Sequence, residues 1–373
     1  MSRFLSNRFA ALKAYVPGEQ PGEMEYIKLN TNESPYPPPP GVIAAANESE
    51  VRKLCLYPNP DGTRLLNKLA EFYGTSPENI IIGNGSDELL AFAFQAFCDS
   101  ERTVAFPDIT YGFYPVYAEL YGIPYTQIPL KDDFSIDPVD YCDIGKNVVI
   151  ANPNAPTGIA LTSGDIEKIA QTNSGYVVLI DEAYVDFGAE SVIPLTHKYD
   201  NLLVMHTYSK SRSMAGARMS FAIGSAPLIE DMNKMKYSFN PYNVKRLTQI
   251  MGEAALNEEE YYKGKRRDII ATRVYTELCL RDLGFTMTDS KANFIFVRNP
   301  KIGGYELYTA LKAKGILVRH WEKPRISDYL RITIGTKNQM DAMLNAIVEI
   351  LRSCNEIEGG LIYAKERNYT QDC

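Results

Sequence analysis

The stretch YVVLIDEAYVDFGAESVIPLTHKYDNLLVMHTYSKSRSMAGARMSF, residues 176–221, holds two short apolar runs, each ending abruptly in polar residues. The first closes on Asp181, Glu182 and Tyr184, the second on Ser209 and Lys210. Near-continuous Val/Leu/Ile runs of this length suit strands covered on both faces. A carboxylate at the mouth of one such strand and an amine at the mouth of the next are costly to desolvate unless each meets a partner.

Working outward, the same alternation repeats. NIIIG (79–83) precedes the helical pattern SDELLAFAFQAF (86–97), and RTVAFP (102–107) precedes YGFYPVYAELYG (111–122). NVVIANP (147–153) precedes SGDIEKIAQT (163–172). Strands alternating with helices predict an α/β fold whose sheet is mostly parallel. From about Asn257 the texture changes to a long amphipathic helix ended by Gly284, then strand, helix, two short strands and a last helix, an α+β pattern. The expected organisation is an N-terminal arm (1–40) running through the four prolines 37–40, a large domain (41–256), a smaller domain (257–356) and a tail (357–373).

The 373 residues are 45% hydrophobic and 23% charged, enough for two domains with full cores. A net charge of −7 without a Lys/Arg block excludes a nucleic-acid partner, and no apolar run is long enough to span a bilayer. The first residues lack a signal-peptide core, which predicts a cytoplasmic protein. The six cysteines, at 55, 98, 142, 279, 354 and 373, form no Cys-x-x-Cys pair, and three histidines add little. Reduced thiols and no metal site are expected.

Four clusters carry the chemistry. GNGSDE (83–88) opens a helix after a strand, so its free N–H groups make a phosphate seat with Ser86 and Asp87. NPNAPTG (152–158) is a turn at a strand's carboxyl end, where open α/β sheets bind ligands. Asp181 and Lys210 follow, with Arg218 eight residues beyond the lysine. Taken singly these residues also read as caps, turns and surface ion pairs. As a set at successive strand ends they point to a phosphorylated pyridine aldehyde bound covalently to Lys210. Its phosphate would lie on Ser86, Asp87, Ser209 and Arg218, and its ring nitrogen would be kept protonated by Asp181 so that the ring withdraws electrons.

These residues resemble the fold-type I pyridoxal-phosphate enzymes and, within them, the histidinol-phosphate aminotransferase family. LNTNESPYPPP, LYPNPDG, TYGFY, DEAYVDF, SKSRSMAGAR, NPYNV and YLRITIGT all have counterparts there, from about Leu12 to about Leu351. The resemblance implies that Lys210 holds pyridoxal 5′-phosphate and shuttles a proton, that Asp181 and Tyr184 meet the ring nitrogen and ring oxygen, and that Tyr111 stacks on the ring. It implies Arg218 on the cofactor phosphate, with Tyr57 reaching that phosphate from a partner subunit, and hence a homodimer. The family often has Asn directly before Pro-Thr-Gly. This chain has Ala155 there, so the ring-oxygen contact is carried to Asn154.

For the substrate, the resemblance implies Arg331 and Arg319 on the anion of the amino donor, Tyr15 on an arm closing over the neighbouring subunit's pocket, and Asn32 at the same entrance. Two planar forks suit a phosphate, which has more acceptors than one arginine fills. The implied reaction is L-histidinol phosphate plus 2-oxoglutarate to imidazole-acetol phosphate plus glutamate, in histidine biosynthesis. A threonine-phosphate decarboxylase-like lyase and an aromatic amino acid aminotransferase are the alternatives on the same scaffold. A catalytically silent cofactor-sensing module is a further reading, and the intact Lys210, Asp181 and Tyr184 speak against it.

Overall fold

The computed structural model describes residues 4–9, 11–20 and 26–353. The tail expected at 357–373 lies outside them, as do Cys354 and Cys373. Seven strands form the main sheet: β1 (Ile80–Gly83), β2 (Val104–Pro107), β3 (Tyr125–Ile128), β4 (Asn147–Ala151), β5 (Val178–Asp181), β6 (Leu202–Thr207) and β7 (Ser220–Ile223). Their spatial order is β1-β7-β6-β5-β4-β2-β3. β2 to β6 run parallel, and only β7 lies antiparallel to both its neighbours. The mostly parallel α/β architecture read from the sequence is therefore the one observed.

The side chains show why these runs are continuous. Ile80, Ile82, Val148, Ile150, Val178, Ile180, Leu202 and Val204 face one apolar core. The intervening Ile81, Val149, Leu179, Leu203 and Met205 face a second core on the other side. Every strand in the middle of the sheet is thus covered twice, and alternation disappears from its sequence. Helices Ser86–Phe97 and Phe113–Tyr121 contribute to the second core.

A second sheet of four antiparallel strands follows: β8 (Thr286–Met287), β9 (Phe294–Arg298), β10 (Arg319–His320) and β11 (Leu330–Thr333), ordered β10-β11-β9-β8. Helices Glu259–Asp282 and Lys337–Ser353 close its apolar side, with Ile269, Leu280, Met343 and Ile347 in a third core. The chain's early residues join this part: Ile27–Lys28 pairs in parallel with Ile316–Leu317. Among the described residues no helix is long and apolar enough to cross a membrane.

Candidate functional site

The carboxyl ends of β4, β5 and β6 open into a cleft of about 770 Å³. Asp87, Tyr111, Tyr184, Lys210, Arg218 and Arg331 are among its lining residues. Three residues past β6, Lys210 donates from Nζ to the Thr31 carbonyl at 3.0 Å and lies 5.6 Å from the centre of the Tyr184 ring. Its amine therefore has a neutral hydrogen-bond partner and a π-face, and makes no ion pair among the described residues.

Asp181 ends β5 beneath this amine and is 5% exposed. The Tyr114 hydroxyl donates to it at 3.2 Å and the Ala183 N–H at 3.1 Å. It makes no ion pair among the described residues, and burial pushes its pKa up to about 6 against those two donors. A buried carboxyl in that condition calls for a cation. Tyr114 is in turn fully buried, and burial next to Asp181 holds its hydroxyl protonated.

The residues expected to seat a phosphate gather around one helix start. Helix Ser86–Phe97 begins after Gly85, and no side chain caps it, so its first N–H groups remain available to an anion. Gly85 has φ of +87°, and a Cβ there would fall 2.3 Å from an Arg218 guanidinium nitrogen. Only glycine lets Arg218 approach the turn this closely. Arg218 reaches Asp87 at 3.1 Å, and the Tyr111 hydroxyl donates to the same carboxylate at 2.7 Å. Ser86 stands at the start of that helix. Ser209 is buried below it, accepting from the Thr207 hydroxyl at 3.0 Å.

Asn154 does not fulfil its expected role. Its Nδ2 donates to the Ile109 carbonyl at 2.9 Å and to the Thr157 hydroxyl at 3.2 Å, and its Oδ1 accepts from Thr110 at 2.7 Å. No N–H remains for a ligand, and Ala155 and Pro156 form the cleft wall instead. Asn32 also departs from expectation. It is fully buried rather than at an entrance, and its Nδ2 donates to the Tyr184 hydroxyl at 3.1 Å, orienting that phenol.

At the other end of the cleft, Arg319 and Arg331 are direct cross-strand partners on β10 and β11. Neither makes an ion pair among the described residues. Arg319 donates to the carbonyls of Val16 and Pro17, and Arg331 to that of Asn30 at 2.9 Å. Burial, with Arg319 adding to it, lowers the Arg331 pKa, and Arg331 Nε is buried without a partner. Tyr15 lines this cleft, its ring 4.1 Å from that of Phe113. The two Arg319 hydrogen bonds hold the adjacent arm residues in place. Tyr57 is remote from this cleft, 77% exposed and stacked on Tyr242. Thr31, Tyr114 and Trp321 are site residues that sequence reasoning missed. The one available signal was Tyr114, three positions after Tyr111 at the start of a helix.

One cleft thus gathers a lysine amine, an uncapped helix start beside an arginine and a separate pair of arginines, with a buried carboxyl on the neighbouring strand. The chain belongs to the class I and II aminotransferase family, whose profile matches residues 24–347. Aminotransferases of this family use pyridoxal 5′-phosphate, and the donors above fit that group. More narrowly, the chain is 48% identical to the histidinol-phosphate aminotransferase of Brachyspira hyodysenteriae, over 95% of this chain and all of that one. It is 47% identical to that of Lactococcus lactis subsp. lactis, over 94% of this chain and 98% of that one. The crystal structure of histidinol-phosphate aminotransferase from Sinorhizobium meliloti in complex with pyridoxal-5′-phosphate superposes with a TM-score of 0.85, covering 94% of this chain and all of that one at 24% identity. The sequence-level resemblance to this family is borne out.

Proposed function

We propose that the protein transfers the amino group of L-histidinol phosphate to 2-oxoglutarate, giving imidazole-acetol phosphate and L-glutamate in histidine biosynthesis. One observation carries the substrate reading. Two arginines stand directly opposite each other in the cleft that holds Lys210, and neither has a carboxylate partner among the described residues. Like charges so placed repel, and a phosphate or carboxylate substrate group relieves the repulsion.

When bound, pyridoxal 5′-phosphate supplies the electron sink that makes a substrate Cα–H bond acidic. Lys210 would hold the cofactor between turnovers and move the substrate's Cα proton. Asp181 would hold a proton at the ring nitrogen, and Tyr184, aimed by Asn32, would donate to the ring oxygen. Arg218 and the N–H groups at Ser86 and Asp87 would bind the cofactor phosphate, with Ser209 beside them. Tyr111, whose hydroxyl is on Asp87, would pack against the ring. Tyr15 screens the cleft from water.

The reading includes a cofactor-binding domain over 41–256, a smaller domain over 257–356, and a cytoplasmic location. It also includes a homodimer in which Tyr57 serves the partner's cofactor phosphate. That assembly is supported by the exposed apolar side chains Val51, Leu54, Leu56 and Tyr57, close together in sequence, and by exposed Tyr242, on which Tyr57 stacks.

The test is a substrate screen read at the cofactor's absorbance, with Lys210→Ala as the blank. Histidinol phosphate and 2-oxoglutarate together should give glutamate. Turnover of an aromatic amino acid with none of histidinol phosphate would reassign the donor, and CO2 release from threonine phosphate would make the protein a lyase.

A further inference from the structure

Side chains directly opposite on an antiparallel pair have their Cβ atoms about 4.5–5.5 Å apart, and like charges there are unfavourable. Arg319 and Arg331 occupy such a pair, and among the described residues each hydrogen-bonds only to backbone carbonyls. Trp321, two residues beyond Arg319, is what they share. Its ring centre lies 5.5 Å from the Arg319 guanidinium carbon and 5.3 Å from that of Arg331. Phe294 approaches Arg331 at the same 5.3 Å. An aromatic face attracts a guanidinium without occupying its N–H donors, whereas a carboxylate in the same place would use them up. Both forks are therefore steadied and both remain able to bind an anion. Trp321 lines the cleft itself and is the chain's single tryptophan.

We propose that Trp321 is a positioning residue that sets anion preference, holding the Arg319 and Arg331 guanidiniums together so that the cleft favours a phosphate monoester over a carboxylate. This deepens the substrate reading above and rests on it. One fork satisfies a carboxylate, but a phosphate dianion needs both. Loosening Arg319 from Arg331 should therefore penalise the phosphate-bearing donor selectively.

Trp321→Leu removes the aromatic face at similar bulk to Trp321→Phe, which keeps one. In the loaded enzyme, Trp321→Leu should raise KM for histidinol phosphate roughly tenfold and KM for glutamate less than about threefold, with kcat nearly unchanged. Trp321→Phe should restore most of the loss. Equal effects of Leu and Phe, or equal rises in both KM values, would overturn the proposal. A second arm uses the unmodified holoenzyme with excitation confined to tryptophan. Inorganic phosphate should change Trp321 emission saturably, while acetate at matched ionic strength should not, and identical responses to the two would also overturn it. This arm decides the matter even where Trp321→Leu fails to fold. A saturable phosphate response in a protein that does not turn over histidinol phosphate would sink the proposed substrate but leave the role of Trp321 standing.

Discussion

At Asp181 the chain buries a carboxyl, and burial outweighs its hydrogen bonds from Ala183 and Tyr114, so that its pKa rises to about 6 from an ordinary 3.8. Between those values the folded chain keeps a proton that the unfolded chain has released. Stability of the cofactor-free protein should therefore fall as pH rises through about 4 to 6, by up to ~3 kcal/mol. A cation held against Asp181 favours its ionised form and should flatten that slope. Thermal melts from pH 4 to 7 with and without pyridoxal 5′-phosphate check this, and Asp181→Asn should remove the slope in the cofactor-free protein. A slope of the same size in Asp181→Asn would show that another group causes it. Asp181 and Lys210 were legible in the sequence because charge at the mouth of a buried strand is expensive wherever the chain folds. Asn154 and Asn32 were not. Which way their amides point depends on Thr110, Ile109 and Thr333, which lie 44, 45 and 301 positions away.

The turn between β1 and helix Ser86–Phe97 places the phosphate seat, and its geometry depends on Gly85. An alanine there would be strained at φ +87°, and its Cβ would force Arg218 to withdraw. Gly85→Ala should cost about 1–3 kcal/mol of stability and weaken cofactor retention at least roughly tenfold, since a phosphate loses a charge-assisted donor pair. Cofactor titration beside a thermal melt separates the two effects; unchanged retention would remove Arg218 from the seat. The strands leading to such turns were readable wherever both faces are covered, as in β4 to β6. Edge strand β3 was not, because Thr126 and Gln127 face solvent and leave no apolar run. Nor was β7, a four-residue strand that runs antiparallel to both its neighbours in the main sheet. The long helix expected from 257 to 284 proved to be Glu259–Asp282, ended as expected by Gly284, whose φ of +84° turns the chain so that the Phe285 N–H donates back to the Leu280 carbonyl.

At the scale of the whole molecule, one cleft lies where the main sheet's strand ends meet β10, β11 and the arm, yet Tyr57 is not among its lining residues and is exposed. An exposed aromatic next to Leu54 and Leu56 makes sense if a second copy of the chain covers it. In a twofold dimer whatever Tyr57 does for the partner is returned by the partner's equivalent. That reciprocity allows a decisive experiment. In a heterodimer of one Lys210→Ala chain and one Tyr57→Ala chain, isolated through two different tags, the site built on the first chain lacks both groups. The site built on the second has its own Lys210 and receives an intact Tyr57 from the first. At limiting cofactor each parent homodimer should be impaired, while the heterodimer should recover about half the wild-type activity, because one of its two sites is whole. Were Tyr57 to act within its own chain, both heterodimer sites would be defective and mixing would recover nothing.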